Sequence, residues 1–471
     1  MLFSDLTFIF LFLPLFFLSI FIFRNDLKKS NYSLLVFSLF FYAWGEIVYV
    51  FLLMIGIVLN YYFAIWIDKA RRADNKKMMK LGLWVALLFN LGSIGYFKYT
   101  GFFIEIINSV TGLAIPIPEI ALPIGISFFT FQIFSYVIDV YRNEVPVQKN
   151  VLYLGAYVMA FPQLIAGPIV RYQTVAEEME CRRASDEDIA YGIRRFMAGL
   201  AKKVLIANQT AFIADTILAG DVTSVGAGGA WFAMIAYFLQ IYFDFSGYSD
   251  MAIGLGRMMG FHFLENFNNP YSAVSITDFW RRWHISLSSF FRDYVYIPLG
   301  GNRVSKPRWI FNMAAVWALT GLWHGASLNF VLWGAFYGLI LILEKLVFPN
   351  LKDVKIFNRI FTLFVVIIGW TIFRCEDFGL MKDVFATMFG ANGGGSLEAL
   401  YWLGVIRIPN LLAVVVGIIF SSETVCKAAA SLTVGSKAKR IIADVCIFAL
   451  LFLCIANLAE NSYNPFIYFR F

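Results

Sequence analysis

Two histidines are the residues of this sequence best suited to proton-transfer chemistry. His324 lies in "LTGLWHGASLNF" (319–330), one of the most apolar stretches of the chain, and His284 lies in "FWRRWHISL" (279–287). An ionisable side chain within a membrane span is costly and rare, so it is by default a functional candidate rather than a residue that only bonds a carbonyl between helices. Burial favours the neutral imidazole, which accepts protons. We therefore predict a general base at one of them, and the sequence leaves open which.

The composition indicates whether these histidines belong to a soluble protein or to a membrane protein. Of 471 residues, 60% are hydrophobic and 15% are charged, against roughly 25% charged in soluble domains, and the mean hydropathy is +0.71. Apolar runs of about 17 to 25 residues recur along the whole chain, each long enough to cross a bilayer as a helix. We predict an all-α polytopic membrane protein with about 11–13 transmembrane helices plus re-entrant or interfacial helices, in one integral-membrane domain, 1–471.

The charged residues predict the topology. The net charge of +7 is typical of basic cytoplasmic loops, so we expect contact with membrane lipid and no nucleic acid. Basic residues place 24–29, 68–80 and 256–308 in the cytoplasm, and their absence places 107–121 outside. The first run, 7–23, has basic residues after it rather than before it, so we interpret it as a retained span with the N-terminus outside. The alternation fails at 151–166, which we expect to re-enter without crossing.

The residues around His324 predict a helix break. Residues 309–348 are too long for one crossing, and a division at "TGLWHGAS" (320–327) leaves a second piece that can span alone. Gly321 and Gly325 supply the backbone freedom for the break.

The segment 275–303 predicts an interfacial or partly re-entrant helix on the cytoplasmic side. Thr277 can cap it, and it then has one aromatic face and one face with Arg281, Ser288 and Arg292. His284 lies at the border of the two faces. We predict that Arg281, Arg282 and Arg292 bind a negatively charged donor, such as a CoA phosphate or an acidic carrier protein. Lipid head groups are the alternative ligand.

Polar residues in an apolar helix form a third candidate group. A carboxylate such as Asp244 costs about 3 kcal/mol at the centre of a span unless it is paired or neutralised. The predicted tunnel-lining residues are Asp244, Ser246, Tyr248, Asp250, Trp283, Trp323 and Asn329. Interhelical hydrogen bonds are an equal alternative for Asp244 and its polar neighbours up to Asp250.

Other chemistries have little support. "GLGRMMG" (254–260) has the wrong spacing for a dinucleotide fingerprint. The five cysteines form no C-x-x-C pair, and a zinc site would need all three histidines or help from carboxylates. We predict no metal, no tightly bound cofactor, and a structural role for His262.

Several motifs together resemble one known family. They are "PIGISFFTFQIFSYVIDVYR" (123–142), "FPQLIAGPIVR" (161–171), "FDFSGYSDMAIGLG" (243–256), "NFNNPYSAVSITDFWRRWHISLSSFFRDYVYIPLGGNR" (266–303), "GLWHGASLNFVLWGAFYG" (321–338) and "FIYFRF" (466–471). They resemble the membrane-bound O-acyltransferase superfamily, and most of all its alginate O-acetyltransferase branch. The family's signature histidine then corresponds to His324, and its second motif histidine to His284.

The resemblance implies a function and its alternatives. It implies transfer of an acyl group, most simply acetyl from acetyl-CoA, across the bacterial inner membrane to an extracytoplasmic polysaccharide or a periplasmic acyltransferase partner. Two related reactions stay open: D-alanyl transfer to teichoic acid and O-acetylation of peptidoglycan. A transporter of the acyl donor that does no chemistry is a more remote alternative.

Overall fold

The fold consists of helices joined by turns and loops in the part of the chain that the structure describes. In this computed structural model the described residues are 1–347, 355–393, 395–396, 398–434, 436–460 and 463–467, and none of them forms a β-strand. The all-α prediction is confirmed. Residues 468–471 of the motif "FIYFRF" lie outside the described residues.

The chain divides into two compact units. Unit 1 contains Met1–Phe196 and Ser249–Leu264, and unit 2 contains Met197–Tyr248 and Glu265–Phe471. The single-domain prediction stays a prediction.

The first eleven α-helices begin in unit 1. They are α1 (Leu13–Ile22), α2 (Leu27–Ala43), α3 (Tyr49–Arg72), α4 (Lys76–Ile94), α5 (Thr100–Thr111), α6 (Ile126–Arg142), α7 (Val151–Met159), α8 (Phe161–Leu164), α9 (Tyr172–Val175), α10 (Glu178–Cys181) and α11 (Asp186–Ala201). Short π-helical turns cover Phe8–Phe12 and Gly95–Tyr99.

The remaining described α-helices begin in unit 2. They are α12 (Asn208–Ala219), α13 (Gly226–Met258), α14 (Ile276–Arg282), α15 (Ile285–Phe291), α16 (Lys306–His324), α17 (Leu328–Val347), α18 (Lys355–Arg374), α19 (Phe378–Met388), α20 (Glu398–Trp402), α21 (Ile408–Phe420), α22 (Glu423–Val434) and α23 (Lys437–Glu460). Two π-helical turns, Lys202–Ala207 and Arg292–Tyr296, and two 3₁₀ turns, Val222–Val225 and Pro270–Ser272, complete the described set.

Six helical segments among the described residues are long and apolar enough to cross a membrane. They are Tyr49–Arg72, Lys76–Thr111, Val222–Met258, Leu328–Val347, Lys355–Arg374 and Lys437–Glu460. The pair Ile408–Phe420 and Glu423–Leu432, bent by 88°, is a seventh candidate. The protein is therefore a multi-pass membrane protein. The larger count of about 11–13 crossings also requires shorter or more polar helices to span, and it stays a prediction.

The segment 151–166 has the form expected of a chain that re-enters without crossing. The helix α7 has nine residues, a length of about 14 Å, or half of a hydrocarbon core. Ala160 separates it from the four-residue α8. Phe161 anchors the turn, because its ring packs edge-on against those of Phe12 at 5.2 Å and Phe16 at 5.0 Å.

Helices α16 and α17 form the tight antiparallel hairpin that carries His324. A Cβ atom added to Gly321 would lie 2.3 Å from the Phe330 carbonyl oxygen, and one added to Gly334 would lie 2.4 Å from that of Trp317. The two backbones therefore touch, which only glycine permits at these two positions. Helix α16 ends at His324 and α17 begins at Leu328, so the chain breaks at 325–327, inside the predicted segment 320–327. Gly321 lies within α16, and its role is the close packing of the two helices rather than the break.

Candidate active site

A cavity of about 970 Å³ within unit 2 contains both candidate histidines in its wall. One of its sides is a single face of α16, formed by Trp309, Met313, Val316, Trp317, Thr320 and His324. Apart from the adjacent pair Val316 and Trp317, successive members are three or four positions apart, so they line up along the helix. From Trp309 to His324 the cavity extends for about 22 Å at the helical rise of 1.5 Å per residue.

His324 is enclosed by aromatic rings at the end of this face. Its side chain is 5% exposed. Its ring centroid lies 5.0 Å from that of Trp323, 5.1 Å from Trp333 and 5.2 Å from Phe373, each ring meeting it nearly at a right angle. The imidazole is thus oriented by the shape of its surroundings, with its remaining side toward the cavity.

His284 lies at another helix break, which corrects the prediction of one helix capped by Thr277. The cap is Ser275, whose hydroxyl oxygen accepts a hydrogen bond from the Asp278 N–H at 3.0 Å. Helix α14 then ends at Arg282 and α15 begins at Ile285. His284 between them adopts the left-handed conformation, with φ 46° and ψ 54°, which costs a residue with a Cβ roughly 1–2 kcal/mol.

The break at His284 is stabilised by a segment that precedes α14. The Arg282 carbonyl accepts a hydrogen bond from the Asn268 N–H, and the Asn266 carbonyl accepts one from the Ile285 N–H, both at 2.9 Å. Asn266 replaces the bonds that a continuous helix would have made here. Helical periodicity alone could not reveal this interruption, because the bonds that support it come from another segment.

His284 is the more deeply buried of the two histidines. It is 1% exposed, and its Nδ1 lies 3.2 Å from Oδ1 of Asn266. Its ring packs edge-on against Phe245 at 4.6 Å and against Trp323 at 5.7 Å. Since Trp323 contacts His324 as well, one indole joins the two histidines. His284 lies in none of the six candidate spans, and burial lowers its pKa to about 3, so its imidazole is neutral near pH 7.

Of the three arginines predicted to bind a donor, one lines the cavity. Arg281 is exposed in the cavity wall and has no ion pair among the described residues. Arg282 instead forms ion pairs with Asp278 at 2.9 Å and Glu423 at 3.1 Å, and Arg292 pairs with Asp293 at 2.6 Å. Neither Arg282 nor Arg292 lines the cavity.

The predicted tunnel residues of α13 lie outside the cavity wall. Asp244, 1% exposed, forms a buried ion pair with Lys203 at 2.7 Å and accepts a hydrogen bond from the Ile467 N–H at 2.8 Å. Lys203 also donates to the Pro465 carbonyl. Ser246 and Tyr248 are likewise buried and absent from the lining. This geometry favours the alternative in which Asp244 binds segments of the fold together.

Asp250 has a comparable ionic contact within unit 1. Its Oδ1 lies 2.6 Å from Nη2 of Arg195. In the same unit the Glu178 carboxylate lies 2.6 Å from Nδ1 of His262, which agrees with a structural role for that histidine.

The other predicted tunnel residues support the cavity from behind. Trp283 packs against Phe267 at 5.0 Å and Trp370 at 4.9 Å. Asn329 donates from Nδ2 to the carbonyl of Phe373 at 3.0 Å, near the end of α18. Of these three, Trp323 is the one whose ring packs against both histidines.

Sequence reasoning missed several polar residues of the cavity. Lys345 and Lys355 are exposed in its wall beside Glu344. Glu344 accepts hydrogen bonds from the backbone N–H groups of Ile276 at 2.7 Å and Thr277 at 3.1 Å, and so secures the start of α14. An acidic residue late in the apolar helix α17 was a usable signal. No local pattern marks Asn266, which acts 18 residues away from His284.

This site lies in the part of the chain that a family model matches. The model describes the membrane-bound O-acyltransferase family and covers residues 127–375, with both histidine motifs. This chain belongs to that family. It is accordingly an O-acyltransferase of the membrane-bound type.

Individual relatives narrow the similarity to one branch. The chain is 37% identical to a probable alginate O-acetylase of Pseudomonas putida, over all of both proteins. It is 35% identical to a peptidoglycan O-acetyltransferase of Helicobacter pylori, over 83% of this chain and 80% of that protein. A teichoic acid D-alanyltransferase of Bacillus subtilis is 31% identical over 46% of this chain and 58% of its own length. The resemblance to the alginate O-acetylase branch is confirmed.

Proposed function

We propose that this O-acyltransferase moves an acetyl group from cytoplasmic acetyl-CoA to a hydroxyl of an extracytoplasmic glycan, directly or through a periplasmic acyltransferase partner. The observation that carries the proposal is the cavity along α16, with cations at exposed positions and two buried histidines. Arg281, Lys345 and Lys355 suit the phosphates of CoA. The long cavity suits the narrow pantetheine arm, which would bring the thioester to the histidines.

The orientation of the cavity is part of the proposal. Residues 256–308, which include Arg281, are basic enough to be cytoplasmic. The protein then lies in the inner membrane of a bacterial cell with its N-terminus outside. The donor enters the cavity from the cytoplasm. Acetyl-CoA itself is too polar to cross lipid, so a path through the protein resolves the separation of donor and acceptor.

The proposed reaction needs a general base and a second group that orients the thioester or stabilises the developing charge. His324 accepts the proton of the acceptor hydroxyl while that oxygen attacks the thioester carbonyl carbon. The C–S bond then breaks, the acyl–oxygen ester forms, and the proton passes from His324 to the departing thiolate of CoA. His284 orients the thioester or stabilises the charge that develops, although the two roles can be exchanged. General-base help contributes roughly 10²- to 10⁴-fold in rate.

Complementation of a deletion strain tests the proposal. Alkali-labile acetate on the cell-surface glycan is measured with wild type, His324→Ala, and His262→Ala as a control histidine in unit 1, at equal amounts of membrane protein. We expect acetate with wild type and His262→Ala and none with His324→Ala. Full acetate with His324→Ala, combined with its loss in His284→Ala, would reverse the assignment. Wild type without any acetate would contradict the acetyl proposal.

D-Alanyl transfer is the second candidate, favoured by the similarity to the teichoic acid D-alanyltransferase. The match to the D-alanyltransferase covers 46% of this chain, whereas the match to the alginate O-acetylase covers all of it. This difference supports acetyl transfer over D-alanyl transfer. Purified protein in liposomes is offered either [¹⁴C]acetyl-CoA or a D-[¹⁴C]alanyl carrier protein. Turnover of the carrier alone, weakened by salt, would establish the second candidate. Donor flux that persists without ester formation in His324→Ala would instead indicate a transporter.

A further inference from the structure

The hydrogen bonds of one buried amide single out a residue without an assigned role. Asn266 is fully buried and lies in unit 2, before the helices that carry His284. Its Oδ1 accepts hydrogen bonds from the Ser286 backbone N–H at 3.1 Å and from the Ser286 hydroxyl at 2.9 Å. The same oxygen lies 3.2 Å from Nδ1 of His284.

These bonds determine which nitrogen of His284 carries its proton. A backbone N–H can only donate, so the Asn266 atom that faces Ser286 is the amide oxygen and not the nitrogen. That oxygen can only accept, and the Ser286 hydroxyl, whose oxygen lies 3.4 Å from Nδ1, already donates to it, so a hydrogen on Nδ1 satisfies both neighbouring oxygens. In the neutral ring, Nε2 then has the lone pair. The tautomer thus follows from the neighbouring main chain.

Asn266 also supports the backbone conformation in which His284 is held. Its carbonyl accepts from the Ile285 N–H at 2.9 Å, and its side chain accepts from the Ser286 N–H, so it caps the first turn of α15 from another segment. A helix start leaves these N–H groups without intrahelical partners. His284, in its left-handed conformation, makes no side-chain cap of its own.

We propose that Asn266 is a positioning residue for catalysis, which presents His284 as the Nδ1–H tautomer with Nε2 available to accept a hydrogen bond or a proton. Because the partner is an uncharged amide, it orients the ring without favouring its protonated form. A carboxylate at the same place would orient the ring equally well and would stabilise the imidazolium. The catalytic part of this assignment rests on the proposed function, whereas the tautomer does not.

The tautomer is tested on the wild-type protein by ¹⁵N NMR of histidine-labelled material in lipid. The chain has three histidines, so His262→Gln and His324→Gln assign the His284 signals by removing one set each. We expect His284 to give the Nδ1–H pattern near pH 7. The Nε2–H pattern would overturn the proposal, and this measurement requires no acyl-transfer activity.

The choice of an amide is tested by Asn266→Asp, with Asn268→Asp as the matched control at an exposed position two residues away. A facing carboxylate changes the pKa of a partner by about 1–3, so we expect His284 in Asn266→Asp to protonate at a pH at least one higher than in wild type, and Asn268→Asp to match wild type. Acyl transfer by Asn266→Asp should then decline toward acid pH more than transfer by wild type, with recovery at alkaline pH. An unmoved titration of a folded variant would overturn the proposal.

The outcomes separate this inference from the proposed function. If the tautomer and the titration shift are found but acetyl-CoA is not turned over by wild type, Asn266 orients His284 and the donor was assigned wrongly. If wild type is active and the activity of Asn266→Asp falls equally at every pH, Asn266 is only structural.

Discussion

The two histidines lie at two helix breaks that are stabilised in different ways. At the first break, His284 is held by hydrogen bonds that Asn266 accepts and by a backbone in the left-handed conformation. At the second, His324 is held by three aromatic rings and by the close contact of α16 with α17. Hydrogen bonds select a tautomer, whereas a cage of rings restricts mainly position. The difference predicts a fixed tautomer for His284, set by Asn266, and a fixed position for His324, set by its surrounding rings.

The largest expected effect comes from removing the histidines together and separately. His324→Ala and His284→Ala should each lower acyl transfer by about 10²- to 10⁴-fold. If the two act as one unit, the double variant should be no slower than the slower single variant. Initial rates in proteoliposomes measure this. Losses that multiply in the double variant would mean that the two breaks act independently.

A Cβ atom added to Gly321 or Gly334, where α16 and α17 touch, should disturb the position of His324. Gly321→Ala and Gly334→Ala each place a methyl group against a backbone carbonyl at about 2.3–2.4 Å, and such overpacking costs roughly 1–3 kcal/mol. We expect lower activity and an earlier thermal transition in detergent. Gly56→Ala, whose Cβ would meet nothing within 4 Å, is the control and should match or exceed the wild-type stability. A fully active Gly321→Ala would show that the cage does not require the tight hairpin.

The backbone strain at His284 can be separated from its chemistry. Glycine adopts positive φ freely, so His284→Gly should be more stable than His284→Ala by about 1 kcal/mol although both lack the imidazole. Thermal transitions of the purified variants compare them. Equal stability would mean that the chain relaxes out of the left-handed conformation when the ring is lost.

The smallest expected effect is on donor binding, which depends on the cavity wall and not on either helix break. Arg281→Gln removes a cation from the cavity wall, an exposed charge worth at most about 1 kcal/mol. The KM for acetyl-CoA should therefore rise by up to about fivefold, with kcat unchanged. The exposed Arg303, which is absent from the cavity wall, provides Arg303→Gln as a control. A fall in kcat with unchanged KM would place Arg281 in the chemical step.

The sequence predicted features that depend on composition and on local pattern. The membrane class, the helix break at His324 and the family all follow from hydropathy, glycine positions and motifs. Prediction from the sequence failed where contacts with remote segments determine the local structure. The left-handed turn at His284 depends on Asn266, and the pairing of Arg282 depends on Glu423. Asp244 had two equal interpretations because Lys203, its partner, lies 41 residues earlier in the chain.

The docking of residues 463–467 onto the Lys203–Asp244 pair has a consequence for biogenesis. Ile467 and Pro465 provide the backbone groups that complete this buried ionic contact. They emerge from the ribosome more than 200 residues after Lys203 and Asp244, the residues that they contact. During co-translational insertion, the candidate span Val222–Met258 that contains Asp244 is therefore made before this contact is complete. The folding of unit 2 finishes only when this late segment arrives.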